Sequence, residues 1–211
     1  MARPMIDYYF SMTSPWAYIG HATFQRLASQ YDFEINYRPV ALSRIFPETG
    51  GLPLAKRHPS RQTYRFLELQ RWRLKRDVAL RLRPKFFPMD AALADKCVMA
   101  LNDAQGDVGA FMGGLFRALF WLEQNGADPE VIGHWLTQCG ADAKGILKAA
   151  GSDEMAARYA KASEDAIASG VYGSPTFIRD GEIFFGQDRL ELLEDALRSG
   201  RAGFHSDYQD P

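Results

Sequence analysis

Ser14-Pro15-Trp16-Ala17 is the first place in this chain where residue type and position could do chemistry. Serine suits a helix N-cap, and proline suits the first helical position, where its missing N–H would be unpaired anyway. A helix start offers free N–H groups and the positive end of the dipole, which together stabilise an anion such as a thiolate. Taken alone, however, Ser before Pro is an ordinary cap. A second motif, Gly170-Val171-Tyr172-Gly173-Ser174-Pro175-Thr176-Phe177, places a proline immediately before a strand. Proline there is usually only punctuation. A third motif, Phe185-Gly186-Gln187-Asp188-Arg189-Leu190-Glu191, puts an amide and an acid at a helix start. The N–H groups of such a terminus suit a carboxylate. Asp188 with Glu191 three residues on also reads as a capping box, which is compatible with ligand contact.

These motifs need elements to position them. Met5 to Phe10 reads as a short aromatic strand, and Phe24, Leu27, Ala28 and Tyr31 mark the buried stripe of the helix after Ser14. Phe33, Ile35 and Tyr37 then alternate with polar residues, which is strand periodicity. The first forty residues are thus a βαβ unit with parallel strands. Near the other end, Thr176–Ile178 and Glu182–Phe185 flank Arg179-Asp180-Gly181, a hairpin connection, and Leu190, Leu193 and Leu197 predict a final helix. Between the ends, residues 62–82, 91–101, 108–124, 129–139, 143–150 and 152–170 read as helices, and no strand is expected there. The expectation is an α/β domain formed by residues 1–44 and 169–200, interrupted by an inserted helical domain over 45–168. Residues 201–211 are expected to form a flexible tail.

Composition narrows the function classes. The formal net charge of −1 argues against a nucleic-acid partner. No apolar run is long enough to cross a membrane, and an acid at Asp7 leaves no room for a secretory signal, so a cytoplasmic protein is expected. Cys97 and Cys139 lie 42 positions apart, with neither redox nor metal-ligand spacing. They read as free, buried small residues, and no metal is expected. Lys56 to Lys85 carries eleven Lys/Arg against Glu68 and Asp77. That run is either a solvated face or a funnel for an anionic ligand, with Arg57, His58 and Arg61 nearest to a cleft.

βαβ followed by ββα is the thioredoxin arrangement, whose reactive group sits at the start of the first helix. A dithiol enzyme would have cysteine at both Ser14 and Ala17. Without them the protein cannot itself exchange disulfides, and the thiol must arrive with a ligand. In thioredoxin-like proteins the proline matching Pro175 is cis and faces that helix start. The residue before it offers its N–H and C=O to an extended peptide.

The three motifs, in this order and spacing, resemble the 2-hydroxychromene-2-carboxylate isomerase family, close kin of kappa-class glutathione transferases, over roughly residues 5–200. The resemblance implies a DsbA-like thioredoxin fold and glutathione as cofactor. It implies that the Ser14 hydroxyl bonds the glutathione sulfur. Ser174 and Pro175 would hold the cysteinyl part, and Gln187 and Asp188 the γ-glutamyl end. Trp16 and Arg61 become candidates for the second substrate, a small aromatic or electrophilic molecule, with Phe66, Trp72, Phe86 and Phe87 as further candidates for an aromatic wall. Two departures bear on that substrate. The family often reads Thr-Gly-Asn where this chain has Thr49-Gly50-Gly51, and Pro-Ala-Lys-x-x-Tyr where it has Pro59-Ser60-Arg61-Gln62-Thr63-Tyr64. The favoured activity is glutathione-dependent cis/trans isomerisation of an aromatic pyruvate derivative. The alternatives are a kappa-type transferase or peroxidase, and a non-catalytic thioredoxin-like binding module. The resemblance allows a homodimer without settling the oligomeric state.

Overall fold

The aromatic run Met5–Phe10 forms the first strand, β1, and helix α1 follows over Pro15–Tyr31. The structure, a computed structural model, describes residues 3–207. Strand β2, Glu34–Pro39, pairs with β1 in parallel, in the register Met5 to Glu34 through Phe10 to Pro39. Strands β3, Thr176–Arg179, and β4, Glu182–Phe185, form the expected hairpin. Its turn is the two residues Asp180 and Gly181, both at positive φ, the geometry that matches the twist of paired strands. The sheet order is β2-β1-β3-β4, with β3 antiparallel to β1. Ser174-Pro175 is cis, and among the described residues no strand lies between β2 and β3.

Seven helices fill that interval: α2 (Leu42–Thr49), α3 (Pro59–Lys75), α4 (Ala92–Asp103), α5 (Val108–Phe120), α6 (Pro129–Gln138), α7 (Ala143–Ala150) and α8 (Asp153–Ala168). Helix α9, Leu190–Ser199, closes the fold. Two helices depart from expectation. Helix α3 stops at Lys75 instead of Leu82, because Asp77 adopts the left-handed conformation at φ 52°. The Val78 N–H then donates to Arg73 O, and the Asp77 N–H to Leu74 O, the paired bonds that end a helix. Glycine usually holds that position, so an aspartate there gave no stop signal. Helix α2 was not among the expected helices; Pro47 stands inside it.

Tyr8 stacks on Phe177 at 5.1 Å, and Phe24 from α1 packs on the same ring at 4.5 Å. The other side of α1 meets α5, where Tyr18 stacks on Phe120 at 5.4 Å. Sheet, α1 and α5 therefore share one continuous core. Burying side chains of this size contributes about 1.5–3 kcal/mol each, which fixes α1 rigidly between two layers. In the tail that begins at residue 201, Arg201 makes two hydrogen bonds to the Glu182 carboxylate, at 2.7 and 2.8 Å, and its guanidinium covers the Phe204 ring. Residues 208–211 of that tail lie outside the described residues. Among the described residues no helix is long and apolar enough to cross a membrane.

Candidate functional site

Ser14 caps α1 as its sequence context predicts: its Oγ accepts the Ala17 N–H at 3.2 Å. The same hydroxyl donates to the Ser174 carbonyl at 3.1 Å, joining the helix start to the loop before the cis-proline. Ser14 is buried in the chain yet lines a cavity of about 770 Å³. The Ser174 N–H has no partner among the described residues. One residue thus presents a free donor, and an acceptor met only by Ser14. An extended peptide could pair with both, as an added strand does.

The cavity has an apolar wall and a cationic rim. Trp16 and Phe87 line it, as do Phe46, Tyr172 and Phe185. Sequence reasoning missed the last three, which come from α2, from the loop before β3 and from β4. Phe66, Trp72 and Phe86, candidates for the wall, do not line it. The replacement at Gly51 also has a structural partner. A Cβ there would lie 2.5 Å from the Phe46 ring, so the ring occupies the space in which an asparagine side chain would start.

Arg57, His58, Arg61 and Arg65 complete the lining, which contains no acidic residue. Burial and the neighbouring Arg57 pull the Arg65 guanidinium down to about 10. Burial and Arg61 likewise lower Arg57. Arg65 lies 5.1 Å from the Phe87 ring centroid and has no ion-pair partner among the described residues. Mutually repelling, partly desolvated cations facing a cavity attract an anion there.

The third motif lies beside Trp16 in an adjoining cleft lined by Gln187, Asp188 and Arg189. Its two candidates differ. The Gln187 side chain is buried, with its Oε1 accepting from Arg76 Nε at 3.1 Å, and Arg76 also donates to the Gln187 carbonyl. Arg76, at the end of α3, was not singled out from sequence. Asp188 is partly exposed and pairs with Arg189 at 2.6 Å. It makes no capping bond, because a short 3₁₀ turn over Gln187–Arg189 moves the helix start to Leu190. The capping-box reading of Asp188 and Glu191 is thereby corrected. Tyr18, one turn beyond Ser14 on α1, donates its hydroxyl to Ala79 O at 2.8 Å. Both cysteines are free, and burial pushes the Cys97 thiol up to about 12. Neither lines the cavity. Among the described residues no cluster of His, Cys, Asp or Glu could hold a metal.

Asp95 of α4 lies beneath the turn that carries Ser14, with both carboxylate oxygens hydrogen-bonded. Burial raises its carboxyl to about 7, outweighing the donors from Tyr159, Met12 and Ser11. The folded protein therefore holds this proton more tightly than the unfolded chain. The associated stability is complete below the unfolded pKa and is lost as pH rises through the folded one. Between those values the wild type should lose roughly 1 kcal/mol per pH unit from this group, a loss absent from Asp95→Asn. Urea unfolding of both proteins across that range checks this, and parallel stability curves would disprove the raised pKa.

The chain is similar to several known proteins. A curated 2-hydroxychromene-2-carboxylate isomerase from Sphingobium xenophagum is 27% identical over 91% of this chain and 97% of its own length. A glutathione S-transferase kappa 1 from Caenorhabditis elegans is 27% identical over 92% of this chain and 91% of its own. The solved structure of a 2-hydroxychromene-2-carboxylate isomerase superposes with a TM-score of 0.76 at 22% identity, covering 92% of this chain and 95% of the other. That likeness shows the fold. Residues 5–198 match the DSBA-like thioredoxin domain, and the chain belongs to that family.

Proposed function

We propose that this protein is a glutathione-dependent cis/trans isomerase acting on an aromatic pyruvate derivative of the 2-hydroxychromene-2-carboxylate type. One observation carries the reading: a thioredoxin-type helix start bears the Ser14 hydroxyl instead of a thiol, 3.1 Å from the carbonyl that would pair with a bound peptide. The names of its relatives, an isomerase and a glutathione transferase, support it. On this reading each part of the tripeptide would have a partner. Ser174 would pair with the cysteinyl unit through its free N–H and its carbonyl, beside Pro175. Asp188 would meet the γ-glutamyl ammonium, while Gln187, held by Arg76, shapes that end of the cleft. Residues 45–168 would act as an inserted helical domain that walls the site.

Bound glutathione would supply a thiolate able to add reversibly to a conjugated carbon of the substrate, leaving a single bond free to rotate. This chain's residues prepare that chemistry. Ser14 has one proton to donate, and it is now given to Ser174 O. Once that carbonyl accepts a ligand N–H, the proton can turn toward the sulfur, where a charged acceptor strengthens the bond. The α1 terminus adds its dipole. Trp16, Phe46 and Phe87 would cover the aromatic ring and exclude water. Arg57, Arg61 and Arg65 would hold the substrate carboxylate.

The same thiolate could serve conjugation or peroxide reduction, so the test compares chemistries. Aromatic enone acids, chloronitrobenzene and a peroxide are each incubated with enzyme, with and without glutathione. Isomerisation of the enone acid should need catalytic amounts of glutathione and consume none. Stoichiometric consumption on the second or third substrate alone would favour a transferase or peroxidase. No glutathione-dependent change in any of them would remove the enzyme reading.

A further inference from the structure

The turn that carries Ser14 is fastened from a distant part of the chain. Asp95 is wholly buried in α4, and it lies 84 positions from Ser11 in the chain. Its Oδ1 accepts the Met12 N–H at 2.8 Å. Its Oδ2 accepts the Ser11 hydroxyl at 2.9 Å and the Tyr159 hydroxyl, from α8, at 2.6 Å. The Ser11 N–H then donates to Ser174 Oγ at 3.1 Å. One carboxyl group thus links α4 and α8 to the turn before Ser14, and that turn to the loop that would pair with a peptide. Among the described residues no cation acts on it: its ionisable neighbours are Tyr159 and Asp90. A buried carboxyl without a counter-ion is costly for stability, and an apolar side chain would pack there more cheaply.

We propose that Asp95 is a positioning residue for the thiolate site, holding Ser11 and Met12 so that Ser14 and Ser174 face a bound thiol at the right separation. It touches no reacting atom and acts only through the turn. The inference rests on the glutathione reading above. The charged groups facing the thiol's cavity itself are Arg57, His58, Arg61 and Arg65, with Glu68, Asp188 and Arg189 in the adjoining cleft. None of these is altered by changing Asp95.

The test is ultraviolet titration of the glutathione thiolate bound to the full chain, with Tm measured on the same samples. Asp95→Ala leaves three donors without an acceptor and loosens the turn. The thiol midpoint should rise by about one pH unit, a roughly tenfold loss of thiolate below the midpoint. Asp95→Asn still offers an oxygen to Met12 and should restore most of that shift. Leu136→Ala, a buried cavity variant in α6 away from the site, should lower Tm and leave the midpoint in place. A folded Asp95→Ala with the wild-type midpoint would overturn the proposal, as would an equal shift in Leu136→Ala. Should Asp95→Ala fail to fold, Ser11→Ala removes one of the two bonds from the turn to Asp95 and keeps the Met12 bond. It should move the midpoint in the same direction by a smaller amount, and an unmoved midpoint there also overturns the proposal. Failure of the wild type to bind glutathione would remove both readings. Binding with no shift in the variants removes this one alone.

Discussion

Ser14→Ala should raise the pKa of the bound glutathione thiol by about one to two pH units while leaving affinity at low pH nearly unchanged. A hydrogen bond to a charged acceptor contributes about 1.5–3 kcal/mol, and one pH unit corresponds to about 1.4 kcal/mol. Below the thiol pKa the ligand is neutral and gains little from the hydroxyl, so binding there reports the rest of the site. The loss should therefore appear in rate, at about 10–100-fold near neutral pH, and should shrink as rising pH supplies the thiolate unaided. Because Ser14 also caps α1 through the Ala17 N–H, the variant should lose about 1 kcal/mol of stability as well. Ser14→Thr keeps both functions and separates them from simple truncation. Ultraviolet titration of the complex reads the midpoint directly. If it does not move, Ser14 is a helix cap only. Tyr18 cannot then take its place without leaving Ala79, so the helix terminus would carry the activation alone.

The second large effect concerns affinity. Asp188→Ala should weaken glutathione binding by about 1.5–3 kcal/mol, or about 10–150-fold, the range for a hydrogen bond to a charged group. The structure explains why this falls on Asp188 and not on its neighbour. The Gln187 amide oxygen is committed to Arg76, whereas the Asp188 carboxylate faces the cleft with only the exposed Arg189 as partner. A surface pair of that kind contributes little and is readily exchanged for a ligand ammonium. Calorimetry with a glutathione analogue lacking the α-amino group closes the cycle. The wild type should lose as much affinity on that change as on the mutation, and the mutant should lose nothing further. Independent, additive losses would place the ammonium elsewhere and leave Asp188 to Arg189.

The candidate site divides into a part that was legible in the chain and a part that was not, and the division is physical. Ser14-Pro15 and the apolar stripe through Phe24 and Leu27 are local signals, set by one residue's hydrogen bond or by helical period. They determined α1, its cap and the position of its reactive end. Period-two alternation and the hairpin turn likewise determined β1 to β4, and the likeness to thioredoxin-like proteins implied the cis-proline loop that lies against Ser14. Helix α2 and the true end of α3 escaped, because Pro47 and Asp77 stand where local rules put other residues.

What only the tertiary structure decided are the contacts between residues distant in sequence. Phe46 filling the space beside Gly51, and Arg76 seizing the Gln187 amide 111 positions away, leave no periodic trace in the chain. Neither does Asp95 beneath Ser11 and Met12. A side chain's type advertises what it could bond, but its partner is chosen by which helices pack against which. That choice belongs to the shared core, whose rings come from β1, α1, α5 and β3 together. The signals that propose chemistry at Ser14 are therefore local, while the geometry that would tune it is a property of the assembled fold.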